Sequence, residues 1–293
     1  MKFRLLRAAA ACVTAILCLV TQTVGATEVH PVLWTVHGKN CTLRLLGSIH
    51  LLPPGMAWRD ERVEDAIYNS DVFVFEVAEN PAAMKQFMTT SGALPSGTSL
   101  RAMLPEAAQA NLDQDAALVN ASVAALDSHR PWFVAAILEG MKNAKLGFSP
   151  YSGVDFSIRS EVLARGKPVR YLETFEQQMA LVAPTDLKLE IASFEAFLAD
   201  FRDQDNMLPD LVDAWSVGDV SKLERLGVGS LREHPDARKA LLDDRNEVWA
   251  KQLEQILDTE RGTFLVTVGA LHLVGPASVP TLLRAHGYTV DGP

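Results

Sequence analysis

Two of the seven histidines in this 293-residue chain share a setting. Gly47-Ser48-Ile49-His50 and Gly269-Ala270-Leu271-His272 are both G-x-x-H, and each directly follows an apolar run that reads as a strand. Glycine lets a backbone turn sharply or approach a neighbour closely. A histidine just beyond a strand end sits where α/β proteins bind ligands. Two carboxylates occupy comparable places: Glu76 near the end of Asp71–Val77, and Glu173 at the end of Val169–Glu173. If the four strands are parallel neighbours, all four side chains meet on one edge of a sheet. Two imidazoles with one or two carboxylates form a common set for a divalent ion such as Mn, Zn or Co, able to activate water for hydrolysis. A second carboxylate can then act as general base.

Each of these residues also has a structural explanation. Alternation puts Val72, Val74 and Glu76 on one face of the strand and Phe73, Phe75 and Val77 on the other. Both faces are apolar, so Glu76 needs a cation, a hydrogen-bonding partner or a raised pKa. A salt bridge to an arginine, or a frayed strand end, would also satisfy it. Glu173 precedes Thr174-x-x-Gln177, a capping box, and an acidic residue is favoured there whatever its chemistry. Asp155 follows Gly153-Val154 and reads as a helix N-cap. Leu241, Arg245, Val248, Gln252 and Ile256 share one helix side at three- and four-residue spacing, so Arg245 falls within an apolar stripe and is expected to reach inward to a carboxylate. Asn246 lies at the stripe's edge. Either histidine, taken alone, could be a satisfied structural residue.

The elements that must position these groups read as follows. Val32–Val36 and Cys41–Leu46 flank a turn-like His37-Gly38-Lys39-Asn40 and form a hairpin. Strands are expected at 71–77, 168–173, 263–268 and 288–290. Helices are expected at 58–70, through most of 98–148 with starts near Pro105 and Pro131, from Asp155 to Gly166, and at 276–286. The stretch 174–257 reads as helical, with breaks near Pro184, Pro209, Gly218 and Pro235. The fold class is α/β: a central mixed sheet flanked by helices, with helical insertions at 98–148 and 185–257 shaping the cleft and possible pseudo-symmetric halves. No repeat period and no low-complexity linker divides the chain, so residues 27–293 read as one domain.

Residues 1–26 read as a cleaved export signal: Lys2, Arg4 and Arg7, an apolar run from Ala8 to Val20, and small residues at Val24-Gly25-Ala26. The expected location is therefore periplasmic or secreted. No other segment is long and apolar enough to span a membrane. The formal charge of −9 argues against nucleic acid or anionic lipid as a partner. Cys41 alone remains after cleavage, so the core holds without an internal disulfide. There is no H-E-x-x-H, no G-x-S-x-G elbow, and no Walker or dinucleotide glycine pattern.

Several of these phrases carry a resemblance. G-S-I-H at 47–50, F-E-V at 75–77, G-V-D at 153–155, G-K-P-V-R-Y-L-E-T at 166–174, R-N at 245–246 and V-G-A-L-H-L-V-G at 268–275, with G-Y at 287–288, occur in the order of the TraB/PrgY/GumN family, which the chain resembles. That family is related to the Tiki metalloproteases and more distantly to erythromycin esterases and the haem-binding ChaN proteins. Pro276-Ala277-Ser278 stands where many members carry a further glycine. The resemblance implies a metal-dependent hydrolase, with proteolysis the activity of Tiki-like members. It carries His50 and His272 over as metal ligands, and Glu76 and Glu173 as ligand and acid/base in either order. Arg245 would stabilise an oxyanion or anchor a substrate carboxylate, with Gly47, Gly269, Asp155 and Asn246 in support. The leading expectation is an exported peptidase acting on a peptide or small-molecule substrate, its metal held by His50, His272 and Glu76, with Glu173 as base. The rivals are a haem, metal or peptide-signal binder on the same scaffold, and an esterase.

Overall fold

In the computed structural model, which describes residues 29–78, 80–182, 186–203, 207–229, 231–232 and 235–293, the expected hairpin forms between β1 (Leu33–His37) and β2 (Cys41–Ser48), paired antiparallel. The expected export signal and the break near Pro184 lie outside those residues. β3 (Val72–Val77), β4 (Val169–Glu173), β5 (Gly262–Gly269) and β6 (Thr289–Asp291) complete a six-stranded sheet in the order β4-β3-β5-β2-β1-β6. The four strands β4, β3, β5 and β2 are mutually parallel, and β1 and β6 close one edge antiparallel. Parallel strands buried on both faces need apolar residues at nearly every position. Phe-Val-Phe in β3 and Phe-Leu-Val in β5 supply them, all at 1% exposure or less. The C-terminal ends of the four parallel strands therefore share one edge, the arrangement in which the site residues can meet.

Helices cover both faces of this α/β sheet and bury Trp34, Trp215 and Trp249 against it. A second apolar cluster lies apart from the sheet. Leu100, Leu112, Val134, Leu138, Phe194, Leu198 and Phe201 pack among helices Glu106–Leu118, Pro131–Lys145 and Leu187–Asp200. Its fully buried carboxylates, Glu190 and Asp115, are paired with Arg130 and Arg202, because an unpaired buried charge would be costly. Pro105 caps one of these helices and Pro131 opens another, where a missing N–H costs nothing.

The expected break near Pro209 is present: Leu187–Asp200 ends, and Met207–Ser216 begins with Pro209 in its first turn, where the backbone N–H groups lack intrahelical partners in any case. Two local expectations need correction. Asp155 is not an N-cap. Gly153 caps Val154–Ala164, and Asp155 stands in its first turn with its carboxylate turned to His50. The buried stripe of helix Asp244–Thr259 runs through Asn246, Trp249, Ala250, Leu253, Ile256 and Leu257. It shares Ile256 with the expected stripe and is otherwise rotated from it by about one residue. Asn246 is central to it, Arg245 lies on its shoulder, and Val248 is 53% exposed.

Candidate active site

β2 and β5 are neighbours, and the two G-x-x-H phrases leave them side by side, with Ser48 opposite Gly269. The first phrase is fixed from below and from the side. The Gly47 carbonyl accepts the indole N–H of buried Trp215 at 2.7 Å. Ile49 accepts the N–H of Val154 at 3.0 Å, and Leu52 pairs with Ser149. Gly153 is a glycine for reasons of space: a Cβ there would lie 2.2 Å from the His50 carbonyl oxygen. Gly153→Ala should therefore displace the His50 loop and cost about 1–3 kcal/mol, read as a lowered urea midpoint at unchanged slope.

His50 extends from this loop with 62% of its side chain exposed. Its Nδ1 lies 2.6 Å from Asp155 Oδ2. The Asp155 charge raises the His50 pKa to about 9, with its hydrogen bond and Glu76 helping, while burial in the cleft and Arg245 oppose it. Burial alone would raise Asp155, but the charge and hydrogen bond of His50 hold it below the usual carboxylate range.

His272 is its counterpart and differs in character. It is 5% exposed and lies in the 3-10 turn Ala270–Leu273, its ring 4.4 Å from that of Trp249. Nδ1 lies 2.6 Å from Asn246 Oδ1. The Asn246 amide N–H is already donated to the Ala277 carbonyl at 2.8 Å, so Oδ1 faces the ring and His272 Nδ1 carries the proton. Nε2 then presents a lone pair, which accepts from Arg245 Nη1 at 3.0 Å. Pro276-Ala277-Ser278 is thus part of the support of His272. Burial first, then the charges of Arg245 and His50, push His272 down to about 4 against the pull of Glu76.

The two imidazoles should titrate far apart in the metal-free protein. Imidazole NMR shifts should place His272 near pH 4 and His50 near pH 9. The signs differ. The His50 pair stabilises the fold below about pH 6.5 and loses this effect as pH rises through 9, but exposure limits it to below about 1 kcal/mol. His272, neutral in the fold, weakens stability as pH falls from 6.5 toward 4. Coincident titrations near 6.5 would contradict this arrangement.

Arg245 occupies the centre. It donates from Nη2 to Glu76 Oε2 at 2.9 Å and to Glu173 Oε1 at 2.6 Å, and from Nε to Glu173 Oε2 at 3.1 Å. Nη1 also reaches the Leu241 carbonyl at 3.0 Å, in the π-helical turn Lys239–Asp243 that precedes its helix. The guanidinium lies 4.5 Å from the Trp249 ring centroid. Burial works against its charge, but the hydrogen bonds and charges of Glu173 and Glu76 outweigh it and raise its pKa. The remaining oxygen of Glu76, Oε1, accepts the Gly269 N–H at 2.6 Å.

All the expected site residues are thus brought together, in unequal positions. His50, Glu76, Arg245, Gly269 and His272 line a cleft of about 480 Å³, whereas Glu173 lies behind Arg245 and does not line it. The capping box Thr174–Gln177 forms as expected. Gln178, not among the expected site residues, donates to Glu173 Oε1 at 3.3 Å and lines the cleft. Its only signal in the sequence is its place one turn after Glu173. Of the two insertions, 185–257 supplies cleft walls at Leu208, Leu211, Leu231, Leu241, Leu242 and Arg245, while among the described residues none of 98–148 lines the cleft.

The donor types, two imidazoles and a carboxylate, are ones a divalent cation takes. Both histidines have Nδ1 against a side-chain oxygen, the usual support of a metal-binding imidazole. A Cβ on Gly269 would lie 3.3 Å from Glu76 Oε1, 3.7 Å from His50 Nε2 and 3.6 Å from His272 Cδ2, so the glycine leaves a cradle between the three expected ligands. As arranged, the cation in contact with Glu76 and His272 is Arg245. Among the described residues no three His, Cys, Asp or Glu side chains close on a single point.

The chain is 24% identical over 245 residues to "Uncharacterized protein YbaP" of Escherichia coli (strain K12), covering 84% of this chain and 89% of that protein. The protein of the same name in Shigella flexneri is 24% identical over 240 residues, covering 82% and 87%. No solved structure matches. The pattern of the TraB/PrgY/gumN family matches residues 32–292, which include both G-x-x-H phrases and every residue of the central cluster, and the chain belongs to that family.

Proposed function

We propose that this chain is an exported hydrolase, most consistent with a peptidase, that activates water in the cleft between His50, Glu76 and His272. The observation that carries this reading is that Glu76 Oε1, His50 Nε2 and the edge of the His272 ring all border Gly269, each side chain held by a separate partner. A divalent cation held by His50, His272 and Glu76 would supply Lewis acidity and a lowered pKa for water. Glu76 takes a proton from the attacking water as its oxygen bonds to the carbonyl carbon, and passes that proton to the amine nitrogen as the carbon–nitrogen bond breaks. Glu76 is the carboxylate that opens on the cleft, and Glu173 holds Arg245 from behind. All five Arg245 N–H groups are engaged; the Nη1 N–H now donated to His272 Nε2 would be released by a cation there, and would then be available to stabilise charge on the carbonyl oxygen.

A second reading follows from Arg245 itself. With the guanidinium on His272 Nε2, Glu76 can receive the water's proton directly while protonated His50 meets the oxyanion, with no cation required. Calorimetric titration of Mn²⁺, Zn²⁺ and Co²⁺ into the metal-stripped protein separates the two. Saturable binding near one equivalent, lost in folded His50→Ala and His272→Ala, supports the metal-dependent reading. Hydrolysis of a peptide pool without any such binding supports the second. Absence of both binding and hydrolysis would leave a non-catalytic ligand-binding role.

A further inference from the structure

The cleft continues past the catalytic cluster. Beyond His50 and Gln178 lies a second lobe of about 420 Å³, walled by Met84, Tyr151, Phe156 and Phe175 among others. His50 and Gln178 line both lobes, so they form the threshold between them. The lobes differ in chemistry. Outside the central cluster, the first is walled by Leu51, Leu181, Leu208, Leu211, Leu241 and other aliphatic side chains, with no charged group. The second offers aromatic faces beside Asp155 and Arg159: the Tyr151 and Phe156 rings lie edge-on, 5.4 Å apart. Both volumes fall in the range of small-molecule and side-chain pockets.

We infer that the leucine-walled lobe selects a bulky aliphatic side chain on one side of the scissile bond. The aromatic lobe takes an apolar side chain on the other, with Gln178 holding the substrate backbone between them. This rests on the hydrolase reading above. Two adjoining cavities that share His50 and Gln178 as walls, with Glu76, Arg245 and His272 lining the first, fit a chain that extends both ways from the scissile bond. A single acyl tail would fill one lobe only. The charge pattern sets the selectivity: a charged side chain against the leucine wall, away from Glu76 and Arg245, would lose its water and find no counter-charge there. Gln178 is committed on one side alone. Its Nε2 donates to Glu173, which leaves the amide oxygen to accept a backbone N–H.

The test uses the full chain carrying Glu76→Gln and a series of fluorescein-labelled decapeptides. One central residue is varied through Leu, Ile, Ala, Asp and Lys, and binding is read by anisotropy. Leu or Ile should bind at least about tenfold more tightly than Asp or Lys. Leu211→Gln, or Leu208→Gln if the first does not fold, should reduce that ratio to below about threefold. In the otherwise wild-type enzyme, Gln178→Ala should raise KM with little change in kcat, the pattern of lost uniform binding. Equal binding across the series, a preference that survives both leucine variants, or tighter binding of a fluorescent long-chain acyl ester than of any peptide would overturn the inference. If the aliphatic peptides bind selectively but the wild type cleaves none, the specificity stands and the hydrolase reading falls. Cleavage without preference has the opposite meaning.

Discussion

Arg245→Met should destabilise the protein by about 3–5 kcal/mol, and Mn²⁺ should restore part of the loss. Glu76 and Glu173 are 8% and 7% exposed, and one guanidinium serves both. Removing one member of a buried ion cluster leaves uncompensated charge, which costs about 3–5 kcal/mol. Here two carboxylates are stranded at once. The triple exchange Arg245→Met, Glu76→Gln, Glu173→Gln should recover most of the stability, since neutral groups of similar size often replace a buried ion cluster without loss. A divalent ion offers a second route. In Arg245→Met the carboxylates and the lone pair of His272 Nε2 are released together, and Mn²⁺ at about a hundredfold its Kd would add about 2.7 kcal/mol. The effect on the wild type should be smaller, because there the ion competes with Arg245 for the same donors. Urea midpoints with and without Mn²⁺ give all four numbers. An Arg245→Met protein as stable as the wild type would contradict the ion cluster. A destabilised protein indifferent to Mn²⁺ would show that these donors do not hold an ion.

Much of this site is legible in the amino-acid sequence, and the reason is periodicity at strand ends. A carboxylate after Phe-Val-Phe, or an imidazole three residues past a strand, announces itself because an apolar run leaves few ways to satisfy a polar terminus. Whether those termini meet depends on strand order, which single-strand patterns do not encode. The crossovers that place β5 between β3 and β2 supply it. Helix faces are less legible. The apolar pattern puts the stripe through Arg245 one residue off because Val248 and Leu241 are apolar yet peripheral, while the polar Asn246 is 2% exposed. A buried amide with both ends satisfied is invisible to hydropathy. Asp155 is ambiguous for a related reason. An acidic residue at a helix start suits the helix dipole and an N-cap equally, and only the approach of the His50 loop across Gly153 shows that its partner is an imidazole.

The two carboxylates can be told apart by isosteric exchange. Glu76→Gln should lower kcat by about 10²–10⁴-fold, the range for loss of a general base, and should also abolish metal binding if a cation is held. Glu173→Gln should cost only about 10–100-fold, as for loss of a supporting partner. The asymmetry follows from position. Glu76 opens on the cleft with Oε1 beside the Gly269 cradle, and a glutamine there keeps the size but gives up the charge. Glu173 faces Arg245 with both oxygens, so its loss acts through the guanidinium. Single-turnover rates and calorimetric metal affinity, measured on variants shown to be folded, distinguish the cases. If Glu173→Gln is the more severe and retains its metal, the proton goes to Glu173. Arg245 must then leave Glu173 during turnover, and the guanidinium at the centre of this site would be a movable element of the mechanism.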